Sequence, residues 1–118
     1  ARFLRGKHPD LEVRRILDLG CTVGHNTLPW AEAYPAAEIH AIDVAAPCLR
    51  YAHARARALG RAVHFRQMDA TRLAYPEHSF DVVFSSMFLH EVPLAGIRRV
   101  LAEAHRVLRP GGLMLHME

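Results

Sequence analysis

An acid set just ahead of a glycine turn is the feature of this chain best suited to chemistry. The run Ile16-Leu17-Asp18-Leu19-Gly20-Cys21-Thr22-Val23-Gly24-His25 starts apolar, passes through Asp18 and enters a loop with glycines at 20 and 24. A helical pattern follows. Glycine lets the backbone take positive φ and lets a ligand come close. A helix start presents unpaired N–H groups. Donors and a carboxylate together suit a nucleotide-like ligand that also carries an ammonium group.

That combination separates two kinds of nucleotide site. A dinucleotide loop wants G-x-G-x-x-G, with pyrophosphate on the helix start. From Gly20 onward the three glycine positions hold Gly20, Thr22 and His25. Two of them fail, and an acid beside the loop repels a diphosphate. A zwitterionic amino-acid tail accepts the acid. S-adenosylmethionine has that tail, a ribose and an adenine.

Further acids fall where such a ligand needs acceptors. Glu38-Ile39-His40-Ala41-Ile42-Asp43 reads as a strand ending in an acid, about 25 residues beyond Asp18. That is the spacing of a ribose-binding carboxylate in a βαβ unit. Val63-His64-Phe65-Arg66-Gln67 reads as the next strand. After it, Asp69 offers an acceptor to an adenine amino group and Met68 a polarizable face to the ring. Phe80-Asp81-Val82-Val83-Phe84-Ser85 is a fourth strand, and Ser85 at its end is a candidate cofactor contact. Pro110-Gly111-Gly112 stops the last helix ahead of Leu113-Met114-Leu115-His116-Met117.

These five segments, in this order and spacing, resemble the S-adenosylmethionine-dependent methyltransferases of the Rossmann-like class, of the type 11-like core. The likeness runs from about Arg14 to Glu118. It implies that Asp18 lies near the methionine amino group and that Gly20, Cys21 and Gly24 form the loop under methionine and ribose. Asp43 would hold the ribose, Val44 would touch adenine, and Asp69 with Ala70 would form the adenine-edge pair. The family loop often reads D-x-G-x-G-x-G, and Thr22 replaces its middle glycine. A β-branched residue tolerates positive φ poorly. Thr22 is therefore expected at negative φ, or else in an altered site.

The supporting elements alternate. Strands are expected at 14–19, 38–43, 62–67, 80–85 and 112–117, with helices at 26–35, 46–59 and 95–108. Alternation implies one α/β domain over 1–118, a doubly wound and mostly parallel sheet with helices on both faces. The resemblance implies strand order 3-2-1-4-5. The family's terminal antiparallel strand pair is missing, so the chain reads as an excised or incomplete core. A fifth strand at the sheet edge, rich in Leu and Met, would invite self-association.

Composition narrows the class. The chain has 118 residues, half of them apolar, and a net charge of +3. One domain is expected. No run reaches a membrane span, and no signal-peptide core opens the chain. Cys21 and Cys48 do not make a disulfide scaffold, so a reducing cytoplasm is the expected setting. Arginines at 50, 55, 57, 61, 98, 99, 106 and 109 read as solvated helix faces, because no aromatics interleave with them to stack bases. The nine histidines show no metal-ligand spacing, and no metal is expected. His40, His64 and His116 read as satisfied strand histidines. His90 follows the fourth strand at the carboxyl edge, where open α/β sheets bind ligands. It is the candidate catalytic residue, positioning or deprotonating a methyl acceptor, and Glu91 reads as a helix-start charge. The leading function is methyl transfer to a small-molecule acceptor. The alternatives are a non-catalytic S-adenosylmethionine-binding or interaction module and an NAD-dependent dehydrogenase.

Overall fold

A computed structural model describes residues 6, 7 and 10–118. Its elements are β1 (Arg15–Leu19), α1 (Leu28–Ala33), β2 (Glu38–Asp43), α2 (Ala46–Ala58), β3 (His64–Gln67), β4 (Phe80–Ser86), a 3₁₀ turn (Leu89–Glu91), α3 (Leu94–Val107) and β5 (Leu108–Met117). The strands form one sheet in the order β3-β2-β1-β4-β5, every pair parallel. This is the order the resemblance implies.

The central strands are apolar on both faces, because helices cover both. Ile16, Ile39, Val82 and Phe84 pack with Trp30 and Ala31 of α1 and Leu49 of α2. Leu17, Ile42, Phe80 and Val83 pack with Val100, Ala104 and Val107 of α3. Neighbouring residues of one strand thus enter opposite halves of the core, the period-2 geometry of a strand.

β3 begins two residues later than expected, at His64, and α1 and β5 differ at three boundaries with a clear local cause. α1 begins at Leu28 because Thr27 and Leu28 both bond back to the Gly24 carbonyl as turns. It stops at Ala33, short of Pro35, which disfavours helix at the preceding residue. β5 begins directly after α3 and carries Pro110, Gly111 and Gly112 inside it. Phe80 pairs with Leu108 and Val82 with Leu113, so the strand bulges here. A Cβ on Gly112 would lie 2.7 Å from the Asp81 carbonyl oxygen, so only glycine fits.

Two of the arginines expected on solvated faces are structural ties instead. Arg106 donates to the Leu73 and Tyr75 carbonyls at 3.0 and 2.9 Å and pairs with Glu103. Arg109 pairs with Asp81, whose other carboxyl oxygen accepts the Arg14 and Arg15 N–H groups at 2.7 and 2.9 Å. Arg106 thus fastens α3 to the loop before β4, and Asp81 fastens β5 to the start of β1. No helix among the described residues is long and apolar enough to cross a membrane.

Candidate functional site

The carboxyl ends of β1, β2, β3 and β4 open onto one cleft of about 430 Å³. That size is ordinary for a small-molecule site, and its place beside the β1/β4 switch is where open α/β sheets bind ligands.

The loop after β1 is pinned by β2. The N–H groups of Gly20 and Cys21 both donate to the Ile42 carbonyl at 2.9 Å. Gly20 has φ +71° and Gly24 +81°. Thr22 has φ +49°, which corrects the expectation that it would stay at negative φ. A left-handed conformation costs an L-residue roughly 1–2 kcal/mol. The reason Thr22 accepts it lies across the cleft: its N–H donates to Asp43 Oδ2 at 2.9 Å. The other oxygen of Asp43 accepts the Ala45 N–H at 2.9 Å, just ahead of α2. Asp43 is therefore a strut for two backbone segments. A carboxylate offers about four acceptor positions, so it can still accept further bonds from the cleft.

Asp18 lies behind the loop. It is buried at 2 % exposure and is absent from the cleft wall. Its Oδ2 accepts the Thr27 hydroxyl at 2.5 Å. Burial lifts its carboxyl from 3.8 to about 7; the Thr27 bond opposes the rise and the Asp43 charge adds to it. Burial likewise pushes the Cys21 thiol far up, so this cysteine is no nucleophile. Cys21 and Gly24 shape the loop without lining the cleft. Ser85 is fully buried, with its Oγ 2.7 Å from His116 Nδ1, and it too lies off the cleft.

The remaining cofactor candidates do line it: Gly20, Thr22, Asp43, Val44, Met68, Asp69 and Ala70. Met68 is tied to the end of β2 by its N–H, 3.0 Å from the Asp43 carbonyl, and its sulfur accepts the Ala74 N–H at 3.4 Å. Asp69 Oδ1 accepts the Thr71 N–H and hydroxyl, both at 2.8 Å, and these bonds hold its carboxyl below the usual range. Val44 is 65 % exposed and adds an apolar side chain to the cleft lining.

The opposite wall was only partly legible in the sequence, through the segment after β4. Met87, Phe88, Glu91, Val92, Pro93, Gly96 and Val100 form it. Phe88 lies so close to Gly20 that a Cβ there would come within 2.3 Å of its ring. Glu91 faces the cleft, whereas its neighbour His90 does not. In a 3₁₀ turn successive side chains point about 120° apart. His90 is instead half-exposed and pairs with Glu118, Nδ1 to Oε2 at 2.9 Å. The same carboxylate accepts the Leu89 N–H at 2.7 Å. The segment after β4 does reach the cleft, through Glu91 rather than through His90.

The charge of the wall is decisive for ligand class. Among the described residues it carries Asp43, Asp69 and Glu91, with no lysine or arginine. Three carboxylates around an apolar cleft reject a diphosphate and accept a cation or a ribose diol. S-adenosylmethionine, a nucleoside with a sulfonium and an ammonium group, fits that donor set.

Comparisons with known proteins agree. A model described as a methyltransferase domain matches residues 16–112. A demethylmenaquinone methyltransferase of Thermus thermophilus is 36 % identical over 105 residues, which are 89 % of this chain and 47 % of that protein. A malonyl-[acyl-carrier protein] O-methyltransferase of Halorhodospira halophila is 36 % identical over 86 % of this chain and 34 % of its own length. A crystal structure of a SAM-dependent methyltransferase from Methanosarcina mazei superposes with TM-score 0.81 at 30 % identity, covering 92 % of this chain and 55 % of that one. The chain spans less than half the length of these two curated relatives.

Proposed function

We propose that this chain, which belongs to the methyltransferase domain family, transfers the methyl group of S-adenosylmethionine to a small, largely apolar acceptor held at the mouth of the cleft. The observation that carries this reading is the cleft wall, which among the described residues is acidic at three points, has no basic residue and is otherwise mostly apolar. S-adenosylmethionine is the cofactor of this family. When bound, it supplies a methyl group already made electrophilic by the sulfonium.

The protein's task is then alignment and exclusion of water. Asp43 has acceptor capacity left for ribose hydroxyls while its backbone bonds hold it rigid. Val44 and Met68 offer apolar faces to an adenine, and Asp69 with Ala70 offers an edge. Asp18 sits behind the loop and contributes negative charge there, in balance with its proton. Met87, Phe88, Val92 and Pro93 give the acceptor side an apolar surface, and Glu91 is its carboxylate. Glu91 is better placed than His90 to receive a proton from an acceptor. The two curated relatives are named for a quinone precursor and an acyl-carrier conjugate. They differ in acceptor, so the apolar acceptor proposed here rests on the cleft's own Met87, Phe88, Val92 and Pro93.

Calorimetric titration with S-adenosylmethionine, S-adenosylhomocysteine and NAD, followed by transfer of labelled methyl to quinol and acyl acceptors, tests the proposal. Binding of both adenosyl compounds and label on an apolar acceptor are expected. Binding of NAD alone would sink it. Tight adenosyl binding with no transfer to any acceptor would favour the binding-module reading.

A further inference from the structure

The opposite edge of the sheet carries a second cluster that the methyl-transfer reading does not use. Glu38 and His40 are two residues apart on β2, so their side chains share one face. His64 is the direct register partner of His40 on β3. The two imidazoles stack with centroids 4.8 Å apart and planes 23° from parallel. Glu38 Oε1 lies 2.6 Å from His40 Nε2. One ligand-type atom from each of the three residues lies within 4.8 Å of the other two.

We propose that Glu38, His40 and His64 form a binding site for a divalent transition-metal ion of the zinc type, with a fourth position open to water. Two imidazoles and one carboxylate are a donor set zinc accepts, at about 2.0–2.2 Å from each ligand atom. Tetrahedral geometry at those lengths puts ligand atoms about 3.4 Å apart. Glu38 and His64 are exposed, so they can turn to close the difference. His40 is buried and already oriented: the Tyr75 hydroxyl lies 3.4 Å from its Nδ1. A metal-ligating histidine characteristically has such a partner on its second nitrogen. His40 would bind through Nε2, replacing its bond to Glu38. Two nitrogen donors disfavour magnesium and calcium, which want oxygen ligands. The Arg15 guanidinium, 3.5 Å from Glu38, opposes any cation and limits affinity. A bound ion would staple the short edge strand β3 to β2, on the amino-end side of the cleft-lining Ile42.

Zinc alone, added to the chelator-treated protein, should raise the melting temperature by roughly 8–14 °C at a hundredfold excess over the dissociation constant. Cobalt should give the visible absorption of a tetrahedral site. His64→Ala removes an exposed side chain, so its fold should survive by circular dichroism, and both signals should vanish. Glu38→Gln should weaken binding. His105→Ala, an exposed histidine on α3, should leave both signals intact. The proposal is overturned if zinc gives the wild type no shift, or if the shift persists in His64→Ala or is lost in His105→Ala.

Discussion

Replacing Asp43 by alanine should damage both the fold and the cofactor site. A carboxylate at a strand end, facing a cleft, supports little packing, and on that basis the change ought to be structurally silent. The geometry reverses this expectation. Asp43 accepts one N–H from the strained loop residue Thr22 and one from Ala45, ahead of α2. Its charge also sits favourably near that helix start. A hydrogen bond to a charged group contributes roughly 1.5–3 kcal/mol. The Thr22 bond is exposed, so water replaces most of it, and a combined loss of about 2–3 kcal/mol follows. For a chain of this length that lowers the melting temperature by roughly 6–12 °C. The lost ribose acceptor should weaken S-adenosylmethionine on the order of tenfold to several hundredfold. Asp43→Asn keeps one acceptor oxygen and should lose less of both. Thermal melts beside calorimetric titrations separate the two effects. An unchanged melting temperature in Asp43→Ala would refute the strut, and an unchanged affinity would refute the ribose assignment.

Thr22→Gly should raise stability by about 1 kcal/mol, or roughly 3–5 °C, because it removes left-handed strain while keeping the N–H bonded to Asp43; an unchanged or lower melting temperature contradicts the strain. Asp18 has a carboxyl raised from 3.8 to about 7, so the folded state keeps a proton that the unfolded chain releases. Its effect is to lower stability as pH rises from about 4 to 7, by at most about 4 kcal/mol. Asp18→Asn should flatten that fall and melt higher than the wild type at pH 8, while binding S-adenosylmethionine more weakly; equal pH profiles for the two proteins would sink the assignment. His90→Ala should leave S-adenosylmethionine affinity unchanged and cost only the exposed pairings with Glu118 and Glu91, whereas Glu91→Gln should slow transfer; a larger kinetic loss in the histidine variant would favour an acceptor-side role for His90. We also propose that the isolated 118-residue chain self-associates through β5, whose outer edge is free among the described strands; light scattering at high concentration should show dimers or larger species, and a strict monomer argues against it.

The five strands were readable from the chain because their signals are local, whereas their order came only from the resemblance to a known family. Apolar runs such as Phe80–Ser86 end in turn residues, and a strand covered on both faces needs no alternation to be recognised. The acids at 18, 43 and 69, each at or just after a strand end, were readable for the same reason, since parallel strands deliver their carboxyl ends to one edge. Which way each side chain turns was not local. Asp18 and Asp43 look alike in sequence, yet one is buried against Thr27 and the other braces two loops at the cleft. His90 and Glu91 are neighbours, and a single 3₁₀ turn decides which faces the cleft. Thr22 holds an unfavourable conformation because a carboxylate 21 residues away binds its N–H. His40 and His64 have no metal spacing along the chain; only the register between β2 and β3 sets their rings together. Composition and periodicity therefore determined which elements form and where the chemistry collects. The packing of distant segments against one another determined which atoms meet there.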